Sequence, residues 1–132
     1  MGVKFNSSGG GSVTIQEPVT SINYTLQVPG TVSTLTDATT ITPDFATNNV
    51  FSVTLGGNRT LANPSNPIPG QSGSIFIVQD GTGSRTLSWG SYWDFMAGTA
   101  PTLSTTAGAV DRIDFVVRSS TSIHTIFTGN YS

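Results

Sequence analysis

Ser74-Ile75-Phe76-Ile77-Val78-Gln79 and Val110-Asp111-Arg112-Ile113-Asp114-Phe115-Val116-Val117-Arg118 decide the fold class. Both runs are short, rich in β-branched and aromatic residues, and bounded by turn formers, which is the pattern of strands. The first is almost continuously apolar and predicts a strand covered on both faces. Asp80-Gly81-Thr82-Gly83 follows it and predicts a turn back into Ser84–Trp89. The second run is followed by Ser119-Ser120-Thr121, which predicts a hairpin into Ser122–Thr128.

Moving outward, Val50–Leu55 alternates, with Phe51, Val53 and Leu55 on one face. Gly56-Gly57-Asn58 predicts a hairpin turn into Arg59–Ala62, and residues 63–70, with three prolines, predict a loop. The small, polar residues 96–108 predict a second long loop, with at most one helical turn near residues 107–111. Upstream, Thr31–Thr42 is Thr-rich and weakly patterned, a loop or an edge, so the core is expected to begin near Asn49. Ser21–Val28 predicts a strand with Ile22, Tyr24, Leu26 and Val28 on one face. The N-terminus predicts an arm over residues 1–20, with short strands at Val3–Asn6 and Ser12–Gln16 about a Gly9-Gly10-Gly11 joint. No window carries a helical period. The expectation is an all-β chain, an antiparallel β-sandwich or jelly-roll-like module over 21–132 with an extended N-terminal arm.

Composition narrows the function classes. Asp, Glu, Lys and Arg make up 9% of the 132 residues, against about 25% in a typical soluble domain. Ser and Thr together exceed a quarter of the chain. The result is a hydroxyl-rich, weakly charged exterior that suits contact with other protein copies, because little charge must be desolvated. Five scattered basic residues and a net charge of −2 argue against nucleic acid as a partner. No stretch approaches the roughly 20 apolar residues of a membrane helix, and residues 1–20 do not have the pattern of a secretory signal.

The chemistry-bearing residues are few. With no cysteine and one histidine, His124, a zinc site is not expected. Asp111 and Asp114 differ in strand parity and should point to opposite faces, so they make a poor acid–base pair. Asp44 and Asp80 sit in turn contexts. Neither a catalytic group nor a cofactor is expected. The densest aromatic cluster is Trp89, Tyr92, Trp93 and Phe95. If that segment is extended, Trp89, Trp93 and Phe95 share one face, as a core or a subunit interface requires. The alternative use of such rings is a stacking platform for glycan.

Gln71–Leu87, Ser88–Phe95, Gly98–Leu103 and Val110–Arg118, with Leu55–Leu61 upstream, resemble a module of tailed-bacteriophage virion proteins, strongest over 48–132. Gly10–Gln16 with Pro18 resembles the start of such proteins more loosely. The resemblance implies a structural protein at the particle surface, made in the host cytoplasm, and a trimer. Only about 45 residues precede the core, which favours a capsid decoration (cement) protein that binds and stabilises the assembled lattice. Its partner would then be the major capsid protein, contacted by the arm through Val3, Lys4, Phe5, Val13 and Ile15. The alternative is a tail-fibre or receptor-binding tip, with the aromatic segment and the 96–108 loop recognising host glycan.

Overall fold

A computed structural model describes the backbone of residues 2–6 and 12–16, and residues 31–131 in full. The strand expected at Ser21–Val28 and the Gly9-Gly10-Gly11 joint lie outside the described residues. So do the side chains of Val3, Lys4, Phe5, Val13 and Ile15. Strand β1 (Gly2–Asn6) pairs antiparallel with β2 (Ser12–Gln16), setting Val3 opposite Ile15 and Phe5 opposite Val13.

From residue 31 the chain winds. It lays down β3 (Ser33–Thr34), β4 (Thr40–Ile41), β5 (Val50–Leu55), β6 (Arg59–Leu61), β7 (Ser72–Gln79) and β8 (Leu87–Trp89). The odd strands join one sheet and the even strands another, and successive strands within each sheet are parallel. Each coil therefore contributes one strand to each sheet, as in a short solenoid. Next come β9 (Trp93–Phe95), a single 3-10 turn at Met96–Gly98, and the long antiparallel pair β10 (Val110–Ser119) and β11 (Ser122–Tyr131). β10 pairs antiparallel with β7, and β9 pairs parallel with β11. The larger sheet thus has the order β3-β5-β7-β10-β11-β9, and the smaller one β4-β6-β8.

The all-β class and the two-sheet, sandwich-like layout hold, but the sheets are mixed rather than antiparallel throughout. Two expected hairpins are corners instead. Gly56-Gly57-Asn58 carries the chain from β5 in the large sheet to β6 in the small one, and residues 80–86 carry it from β7 to β8. Both turns reverse the chain, as their residues dictate, but they deliver it to the opposite layer. The corners stack on one another. The Arg59 guanidinium grips Asp37 at 2.7 and 2.8 Å, Arg59 N donates to Thr86 O, and Thr86 N donates to the Asn58 side chain at 3.1 Å. Along the other side, Asp44 and Ser65 form a parallel bridge, and Asn63 Oδ1 accepts Tyr92 N at 2.9 Å.

Alternation fills the space between the layers. Phe51, Val53 and Leu55 point inward from β5, Ile75 and Ile77 from β7, Ile113, Phe115 and Val117 from β10, and Ile123 from β11. Ile41 and Leu61 enter from the small sheet. Each such side chain contributes about 1.5–3 kcal/mol on burial. The run 74–79 is buried on its inner face and half-covered at Phe76 and Val78. The core also starts earlier than expected. Phe45 is fully buried, stacks on Phe51 at 5.9 Å and on Phe115 at 4.5 Å, and meets Trp93 edge-on at 6.1 Å. The alternation Ile41-Thr42-Pro43-Asp44-Phe45, with the odd positions buried, is the sequence signal that announces it. Gly73 is obligatory where the second coil enters β7, because a Cβ there would collide with the Asn49 carbonyl oxygen.

Candidate functional site

The aromatic segment does not run straight. Between β8 and β9 the chain turns at residues 90–92, with Gly90 N donating to Leu61 O and Trp93 N to Gly90 O. Trp89 and Phe95 come together across this turn, T-shaped at 4.8 Å. A continuous strand would hold them roughly 20 Å apart, at about 3.3 Å per residue, so the extended segment is corrected to a strand–turn–strand. Trp93 is in the core, its Nε1 donating to Ala62 O at 3.0 Å. Trp89, Tyr92 and Phe95 are half-buried and pack against that core from its rim. The Trp89 Nε1 donor is buried without an acceptor among the described residues. Met96, which follows, is 90% exposed, and Ala97 holds a left-handed backbone at φ 57°. The 96–108 loop therefore begins with a bare thioether, next in the chain to Phe95.

The carboxylates are tied into the scaffold. Asp111 points into the protein, where it accepts Ser104 N and Ser104 Oγ at 2.7 Å and Asn130 N at 2.8 Å. Asp114 lies on the outer face of the same strand, paired with Arg112 at 3.0 Å and accepting Ser74 Oγ at 2.6 Å. Asp80 accepts Thr82 N, Gly83 N and the Arg85 guanidinium. The Arg85 bond above all, helped by the two backbone donors, holds its carboxyl down at about 2. Asp37 is lowered mainly by the Arg59 hydrogen bond, and Asp44 mainly by that from Asn66. Among the described residues no three His, Asp or Glu side chains converge to hold a metal ion, and no helix is long and apolar enough to cross a membrane. His124 is exposed on β11, in register with Val116 of β10 and Asp94 of β9.

The outer face of the large sheet was not singled out by sequence reasoning. Its outward positions include Phe76, Val78, Val110, Val116 and Ile126. Around Ser72, Ser74, Asp114, Val116, His124 and Ile126 it forms an open depression of about 450 Å³. The signal was present in the parity of β10 and β11, where apolar residues occupy both faces.

No curated protein and no solved structure matches the chain. A family model described as "Putative phage tail fibre C-terminal domain" matches residues 39–122, from just before β4 to the start of β11. That segment contains the second and third coils, the aromatic turn and β10, and it covers well over half of the chain. The chain therefore belongs to the phage tail fibre C-terminal domain family and is a structural module of the phage particle.

Proposed function

We propose that the chain is the C-terminal module of a tail fibre and contacts the host surface. The observation that carries this reading is the family match over residues 39–122. It supports the fibre over the capsid decoration expected from the short N-terminal region. The fold gives the module a rigid, cross-braced body, and loops on such a body are where recognition is commonly built. Exposed Met96 at the start of the 96–108 loop and the rim rings of Trp89, Tyr92 and Phe95 offer the apolar surface that a sugar ring stacks on. The role is one of binding and presentation, without turnover of substrate.

The test is the copy number of the chain per purified particle, relative to the major capsid protein, together with binding of the isolated chain to host cells. About a dozen copies and saturable cell binding are expected. Hundreds of copies would overturn the fibre reading in favour of capsid decoration. Met96→Asp, at an exposed site, should weaken cell binding about tenfold and leave the thermal midpoint unchanged. An unchanged affinity would remove the 96–108 loop from the contact.

A further inference from the structure

We infer that the open depression on the outer face of the six-stranded sheet is a binding site for an uncharged saccharide, separate from the rim rings. None of the residues lining it belongs to β8, β9 or the 96–108 loop. The inference deepens the fibre reading by naming a ligand class and a second site, and rests on that reading only for the host as the source of the sugar.

Strand register sets the pattern of the depression. Ser72, Val116 and His124 lie side by side across β7, β10 and β11, and Ser74, Asp114 and Ile126 form the next outward-facing row. On β10 and β11 apolar and polar side chains therefore alternate in both directions. Val116, 52% exposed, and Ile126, 70% exposed, sit on one diagonal, with Asp114 and His124 on the other. The depression measures about 450 Å³, within the roughly 300–1,000 Å³ of small-molecule sites.

The hydrogen-bonding capacity left over indicates which ligand fits. Asp114 Oδ2 is taken up by the Arg112 guanidinium at 3.0 and 3.2 Å. Its Oδ1 accepts Ser74 Oγ at 2.6 Å and keeps a second lone pair. The Ser72 hydroxyl and the His124 imidazole, both exposed, make no hydrogen bond among the described residues. A ligand hydroxyl can donate to Asp114 and accept from Ser72 or His124, whereas an alkyl chain would cover all three and leave them unpaired. Because Arg112 neutralises Asp114, the floor offers neither an anion nor a cation a net charge to pair with. A sugar ring meets every part of this pattern. Its C–H face covers Val116 and Ile126 while its hydroxyls reach the polar diagonal.

A titration of the full chain, followed by amide chemical shifts, tests this. The probes are glucose and galactose, each with its uronate as the anionic and its amino sugar as the cationic counterpart. At least one uncharged sugar should saturate the shifts at Ser72, Val116 and His124, with a Kd on the order of 1 mM. Its charged counterparts should bind about tenfold more weakly. His124→Ala should weaken binding about tenfold, and Val116→Arg, which fills the middle of the depression, should abolish it. Both positions are exposed, so neither variant should move the thermal midpoint. Lack of saturation by either uncharged sugar overturns the proposal. So does equal binding of the charged counterparts, or binding that survives both variants. Shifts confined to Trp89, Tyr92 and Phe95 would also overturn it while leaving the fibre reading intact. Hundreds of copies per particle, with the depression saturable by sugar, would remove the fibre reading and leave this site standing.

Discussion

The coiled half of the molecule, β3 to β8, and the C-terminal pair, β10 and β11, hold together by different means. The pair is one long antiparallel ladder from Val110 opposite Tyr131 to Ser119 opposite Ser122, with register shifts between Val110 and Arg112 and between Val117 and Ser119, and it is closed by a tight turn that makes its first partners near neighbours in sequence. The coils have only short parallel strands, two to eight residues long, whose partners lie a full coil away. What they lack in ladder they gain at their corners, where Asp37 with Arg59, Asn58 with Thr86, Asp80 with Arg85, and Asn63 with Tyr92 N tie one coil to the next or lock a turn in place. A solenoid of this kind draws its order from side chains at the bends, and a hairpin from its backbone.

The largest expected effect comes from removing the part that the two regions share. Phe45 reaches from the first coil to stack on Phe115 of β10, so Phe45→Ala should cost about 3–5 kcal/mol. Unfolding should remain a single transition by both near-UV and far-UV circular dichroism. Two separated transitions would show that the halves melt independently and break the picture of one core. Next is Asp111→Ala, which strands three donors around the end of the hairpin. It should cost about 3 kcal/mol. Amide exchange should accelerate at Ser104 and Asn130 before it does at Val53 and Ile77. Uniform acceleration would mean that the hairpin has no local stability of its own.

The smallest effect sharpens the role of the corners. Asp37, Asp44 and Asp80 all have carboxyls held below the ordinary range by their hydrogen-bond donors. A carboxylate depressed on folding stabilises the native state above its unfolded pKa, about 3.9, and that contribution fades as the pH falls toward its folded value. Stability should therefore hold above about pH 5 and decline between about pH 4 and pH 2, the window that Asp80 defines. Asp80→Asn should flatten that decline. If the acid limb of the thermal midpoint is identical in this variant, the Asp80–Arg85 corner contributes nothing measurable.

The strands of the molecule were more legible in the sequence than their partnerships. β5, β7, β10 and β11 follow from alternation and β-branched content, and Ser119-Ser120-Thr121 does close a hairpin. Gly56-Gly57-Asn58 and Asp80-Gly81-Thr82-Gly83 misled because a hairpin and a corner ask the same thing of a turn residue, a sharp reversal with its backbone groups satisfied. The coils also differ in length, Ser33 meeting Phe51 but Val50 meeting Ser74, so no constant period reveals them. Phe45 was hidden by its setting, a lone aromatic after a Thr-rich stretch. At the aromatic site, the residues were found but not their arrangement, because it depends on Gly90 docking against Leu61 and Asn63, a contact from the coil before.

The order β7-β10-β11-β9 also governs the sequence of events on the ribosome. β9 is synthesised before both strands that separate it from β7, and its partner β11 emerges last among the described strands. Until then Trp93 and Phe95 have no backbone ladder to hold them, and the side of the core that they close stays open. The nascent chain must keep its most aromatic stretch in waiting while some thirty further residues, on the order of a few seconds of translation, are added. Completion of the sheet is thus timed by the arrival of Ile123 to Thr125, the residues that receive β9.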